Sequence, residues 1–141
     1  MSRKIRKLAI ANRGEVAVRI IRACQELGIE TALLHSEADV ATLAYRLSHE
    51  NVLIGRPEAS KSYLSIEKNI HAAISVGADA IHPGFGFLSE NADFAEACDE
   101  NKLIFVGPSA DSIRLFGDKI SAKHLVRKVG GPTIPGYQGE D

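Results

Sequence analysis

The chain has 141 residues, 45% of them hydrophobic, which suits one domain that buries on the order of 70% of its unfolded surface and needs no disulfide or metal staple. A formal net charge of −1 with both signs interspersed leaves no basic stripe for nucleic acid and no acidic tail. No apolar run approaches the roughly 20 residues of a membrane span, and Leu8 to Ala11, behind the basic start, is too short for a signal-peptide core, so a soluble cytoplasmic or organelle-matrix protein is expected.

Lys7–Ala11 is a short apolar run closed by Asn-Arg-Gly-Glu, and Ala17, Ile20, Ile21, Cys24 and Leu27 then recur at helical spacing within 15–28. This predicts strand, tight loop, helix. A β-rich run at 30–35, a helix over 38–49 and a third strand at 51–54 follow. The polar stretch 56–62, with Pro57, reads as an exposed connection to a helix over 65–76, whose stripe is Ile66, Ile70, Ala73 and Ile74. A strand at 78–81 leads into the loop 82–91. Asn91 then caps a helix over 92–101 that faces Phe94, Ala95 and Cys98 inward, and a strand at 103–106 closes the series.

Strands alternating with helices through short loops imply an α/β fold, an open doubly wound parallel sheet with helices on both faces, because parallel strands need crossovers that cover the sheet. Ligands gather beyond the carboxyl ends of such strands. The Rossmann-like unit is expected to fill residues 1–108. A helical extension occupies 109–129, and a Gly/Pro-rich linker, with Gly130-Gly131-Pro132 and Pro135-Gly136, runs over 130–141. Cys24 and Cys98 fall in apolar helical patterns and read as reduced, buried thiols, while the five histidines show no metal-ligand spacing.

Three places carry candidate chemistry. The run His82-Pro-Gly84-Phe85-Gly86-Phe-Leu-Ser-Glu90-Asn is ten residues long, against about 2–6 for an ordinary β–α connection, and lies at the ligand edge. Phe85 and Glu90 are the residues expected to face a ligand; the plainer reading is a turn with both phenylalanines packed inward. Glu15, Arg19, Arg22 and Glu26, spaced by four, three and four, form a charged ridge on the first helix, either a solvated face with opposite charges paired at i,i+4 or a surface that meets its own copy across a two-fold axis. Gly117-Asp118-Lys119 places Lys119 in a first helical turn, where the helix dipole repels a cation unless an anion sits nearby; a solvated lysine is the alternative. The Asn12–Glu15 turn lacks the Gly-x-Gly-x-x-Gly spacing of a dinucleotide fingerprint.

Taken together, Lys7 to Glu15, His82 to Asn91, Phe105-Val106-Gly107-Pro108, Ile113-Arg114-Leu115 and Gly117-Asp118-Lys119 resemble the amino-terminal domain of biotin carboxylase, an ATP-grasp ligase that serves acetyl-CoA, propionyl-CoA and pyruvate carboxylases. The resemblance implies activation of bicarbonate by ATP, with magnesium or manganese, and transfer of the carboxyl group to biotin on a carrier protein or domain that then serves a carboxyltransferase. It implies that Lys119 contacts ATP. His82, Gly84, Phe85, Gly86 and Glu90 would border the biotin entrance, and Arg22 and Glu26, with Arg19 on the same ridge, would lie at a homodimer interface. Where the family commonly has tyrosine this chain has Phe85, so a hydroxyl contact is missing there. The resemblance also places the glycine-rich lid, metal-binding carboxylates, bicarbonate base and biotin-stabilising arginine past Asp141, so no catalytic or metal-ligating residue is assigned here and the chain is expected to be inactive alone. The rivals are a non-catalytic self-association module and the first domain of another ATP-grasp ligase, such as a carbamoyl-phosphate or purine-biosynthesis enzyme. The acyl acceptor is not encoded in these residues.

Overall fold

The computed structural model describes residues 4–115. Five strands, β1 (Lys7–Ile10), β2 (Glu30–Ser36), β3 (Glu50–Gly55), β4 (Ala80–His82) and β5 (Ile104–Phe105), form one sheet in the order β3-β2-β1-β4-β5. Every pairing is parallel. The chain winds outward from β1 to β3, then returns to place β4 on the other side of β1. That reversal is the topological switch point, where the segments leaving neighbouring strands splay apart and open a crevice.

Side-chain alternation along the strands explains the two layers. Leu8 and Ile10 of β1, Leu33 of β2 and Ala80 of β4 point to one face, where they meet Ala17, Ile21 and Cys24 of α1 (Gly14–Leu27) and Ala44 of α2 (Leu43–Leu47). Ala9, Leu34 and Ile81, one residue further along, point to the other face, against Ile70 and Ala73 of α3 (Ile66–Ser75) and Phe94 and Cys98 of α4 (Ala92–Glu100). Both cysteines are free and buried, and burial pushes the Cys98 thiol up to about 12. Gly28 in the left-handed conformation stops α1, and Asn91 caps α4 by accepting from Phe94 N at 2.9 Å.

Several expectations require correction. The helix read over 38–49 is broken into a 3₁₀ turn, Glu37–Asp39, and the short α2. Ser36 Oγ accepts from Ala38 N, and Thr42 Oγ1 donates to Asp39 O and accepts from Tyr45 N, so these hydroxyls take backbone groups that a continuous helix would use. Leu27 and Ile74, assigned to apolar stripes, are 73% and 49% exposed because they stand at the outer margins of their helices. The connection read as exposed over 56–62 ends in a buried Ser62, followed by a buried Tyr63. Residues 110–115 are helical, started by Ser109 Oγ accepting from Ser112 N, and Arg114 bridges to Asp93 and Glu96 of α4. Lys119, the rest of the expected helical extension and the expected linker lie outside the described residues.

Candidate functional site

The two segments that leave the sheet at the switch point are Asn12-Arg13, after β1, and the 82–91 loop, after β4. The strands before them are paired, Ile10 opposite His82, and Ala11 N donates to His82 O at 2.9 Å. Asn12 is buried, and its Nδ2 donates to Pro83 O and Phe85 O, both at 2.7 Å, while Oδ1 accepts from Arg13 N at 2.8 Å. One amide thus braces both segments. Gly84 has φ +68°, and a Cβ there would lie 2.5 Å from Asn12 Nδ2 and 2.8 Å from Val16 Cγ1, so the close approach requires glycine twice over. His82 Nδ1 lies 3.0 Å from Gly84 N, and since a backbone N–H can only donate, the imidazole is neutral with its hydrogen on Nε2. Burial lowers its pKa.

The second limb turns at Gly86 (φ +68°) and Phe87 (φ +45°), with Ser89 N donating to Gly86 O at 2.9 Å. A left-handed phenylalanine carries strain of about 1–3 kcal/mol and persists only where its surroundings hold it. Phe87 stacks on Tyr63, ring centroids 5.0 Å apart and planes at 24°, and Leu88 is buried beside it. Phe85 is 78% exposed and Glu90 is exposed, so of the two phenylalanines only Phe87 packs inward.

Beneath the loop lies a polar network. Asp39, buried, accepts from Arg13 Nε at 2.8 Å and Nη2 at 2.9 Å in a bidentate pair, and its Oδ2 also accepts the Tyr63 hydroxyl proton. Tyr63 OH in turn accepts from Ser36 N at 3.1 Å. The Arg13 guanidinium holds the Asp39 carboxyl below the usual carboxylate range, against the opposing effect of burial. Burial, then the neighbouring Asp39, pushes the Tyr63 phenol up to about 12, so it remains a donor at neutral pH. Asn69 of α3 locks the turn that carries Tyr63, its Nδ2 donating to Ser62 O, Tyr63 O and Ser65 O.

The charged ridge of α1 is exposed along Glu15, Arg19, Arg22 and Glu26. The expected i,i+4 ion pairs do not form among the described residues; the side chains extend into solvent. The ridge borders a shallow cleft of about 530 Å³ whose wall includes Val16, Ile20, Ala23, Leu27, Phe85 and Val106. Arg19 of the ridge and Phe85 of the 82–91 loop therefore line one cleft, a proximity that spacing along the chain does not reveal.

Asp39 and Tyr63 escaped the sequence reading, and Asn12 entered it only as part of the Asn12–Glu15 turn. Asp39 fell inside an expected helix and Tyr63 just past an expected exposed connection; the available signal was a tyrosine beside a run of polar residues, where an aromatic ring needs a burial partner. Among the described residues no group of three or more His, Cys, Asp or Glu side chains could hold a metal ion.

A five-stranded parallel sheet with helices on both faces and a braced loop at its switch point defines a doubly wound α/β protein. A family model, the N-terminal domain of biotin carboxylase, matches residues 4–113. The chain is 52% identical over 136 residues to the biotin carboxylase of Nostoc sp., a match covering 96% of this chain and 30% of that protein. Among solved structures, the biotin carboxylase subunit of pyruvate carboxylase superposes with a TM-score of 0.81 at 45% identity, over 96% of this chain and 30% of that one. The biotin carboxylase domain dimer of 2-oxoglutarate carboxylase from Hydrogenobacter thermophilus, in complex with MgADP, ADP and bicarbonate, gives 0.81 at 41% identity, with the same coverage of 96% and 30%. The chain belongs to the biotin carboxylase N-terminal domain family. It spans about 30% of the length of each of these three relatives. The family match favours this assignment over the other ATP-grasp ligases.

Proposed function

We propose that this chain serves as the amino-terminal domain of an ATP-dependent biotin carboxylase, in which ATP activates bicarbonate and the carboxyl group passes to biotin on a carrier that delivers it to a carboxyltransferase. The observation that carries the reading is the 82–91 loop, braced at the switch point by Asn12 and Tyr63 with Phe85 and Glu90 turned to solvent. His82, Gly84 and Gly86 shape this rim, and Phe85 offers an apolar ring to the acceptor in place of a phenol. Lys119 is assigned to ATP and magnesium or manganese to the nucleotide. One lysine contributes only about 1–3 kcal/mol to phosphate binding, so nucleotide binding by the chain alone is expected to be millimolar or weaker. The site of action is cytoplasmic or in an organelle matrix; no helix among the described residues is long and apolar enough to cross a membrane.

The test is a chimera in which this chain replaces the matching segment of the Nostoc relative. Bicarbonate- and biotin-dependent ATP hydrolysis is expected from the chimera and none from the 141-residue chain. A folded chimera without turnover overturns the reading, and turnover by the purified chain overturns its incompetence.

A second reading concerns assembly. The exposed ridge with Arg19, Arg22 and Glu26, without an ion pair among the described residues and beside an apolar cleft, supports homodimerisation through α1.

A further inference from the structure

We propose that Tyr63 is a positioning residue for the acceptor: its ring holds Phe87 in the left-handed conformation, and so fixes the rim from which Phe85 and Glu90 meet the cyclic urea of biotin. The inference rests on the proposed function of the loop, and begins from Phe87. A bulky residue at φ +45° is retained only if its surroundings over-determine it: the Ser89 N–Gly86 O bond closes the turn, Leu88 beside it is buried in the core, and the Tyr63 ring stacks 5.0 Å away. Tyr63 is itself held from three directions: its hydroxyl donates to Asp39 and accepts from Ser36 N, and its backbone carbonyl is held by Asn69. Asp39 is in turn clamped by both nitrogens of the Arg13 fork.

The chain of contacts runs Arg13, Asp39, Tyr63, Phe87, rim. Its first member lies three residues past the end of β1, and Asn12 beside it braces the other limb of the same loop. The two limbs are therefore tied to one strand end, and neither Tyr63 nor Asp39 has side-chain surface to offer a ligand, both being buried. Their effect on chemistry must pass through the loop. A residue that presets the rim lowers the ordering cost of acceptor binding, and its loss should weaken acceptor capture more than nucleotide use.

The sequence contains no tryptophan, so Phe85→Trp makes a single fluorescent reporter on the rim of the 141-residue chain. Adding Tyr63→Leu, which removes the ring and hydroxyl, or Phe87→Leu, which removes only the stack, should raise the reporter's rotational freedom. Tyr63→Phe, which keeps the ring, should give a smaller change. In the chimera without the reporter, Tyr63→Leu and Phe87→Leu are expected to raise KM for free biotin about tenfold, with KM for ATP within twofold, and Tyr63→Phe should restore most of the biotin KM. Folded variants with unchanged reporter anisotropy and unchanged biotin KM overturn the inference, as does a parallel rise in both KM values. If the parent chimera has no biotin-dependent turnover, the functional reading fails. The reporter then still decides whether Tyr63 sets the rim: unchanged anisotropy refutes it.

Discussion

His82 shows how one side chain couples the loop to pH. Its Nδ1 accepts from Gly84 N, and burial lowers its pKa from the usual 6.5. The unfolded chain therefore binds a proton at a higher pH than the folded chain does. The associated stability is fully present above about pH 6.5 and is lost as pH falls through the folded-state pKa, because protonation both buries a charge and removes the acceptor for Gly84. Melting temperatures between pH 7.5 and pH 5 should fall more steeply for the wild type than for His82→Asn, whose side-chain oxygen can accept the same N–H in an Asx turn without titrating. Parallel curves would mean that His82 does not carry the effect. At this scale the sequence marks His82, Gly84 and Phe85 as one long loop after a strand, and the structure places them together after β4. Which phenylalanine packs was decided by Tyr63, a residue separated from Phe87 along the chain and brought beneath it by the fold.

At the scale of elements, the spacing of glycines separates two roles that look alike in the sequence. Gly84 and Gly86 both have φ +68°, but a Cβ at Gly84 would strike Asn12 and Val16, whereas one at Gly86 meets nothing within 4 Å. Asn12 cannot yield without releasing its bonds to Pro83 O and Phe85 O. Gly84→Ala is expected to destabilise the chain by about 2–4 kcal/mol, through left-handed strain plus lost hydrogen bonds, and Gly86→Ala by only about 1 kcal/mol through strain alone, as read from urea unfolding. Equal losses would show that the β1 and β4 segments do not press on one another. The failed helix over 38–49 belongs to the same scale. Ser36 and Thr42 divert the backbone hydrogen bonds there and Asp39 is drawn under the loop by Arg13 and Tyr63, so tertiary partners override propensity.

Across the whole molecule, the winding order places the loop and the α1 ridge on one shared boundary. Arg22 is exposed and makes no ion pair among the described residues, so reversing its charge should leave the monomer's stability nearly unchanged. If α1 meets its own copy, sedimentation of the wild type at high concentration should show a dimer and Arg22→Glu a monomer; a wild type that remains monomeric removes the support for this interface. The strands and the two-faced burial were legible in the sequence, since period-two and period-3.6 patterns and turn residues act locally and report on each element by itself. The order β3-β2-β1-β4-β5, the clasp of Asn12 on the loop and the Arg13–Asp39–Tyr63 network were settled only by tertiary structure. These depend on which strand lies beside which, and a contact between residues more than twenty positions apart leaves no period in the chain to read.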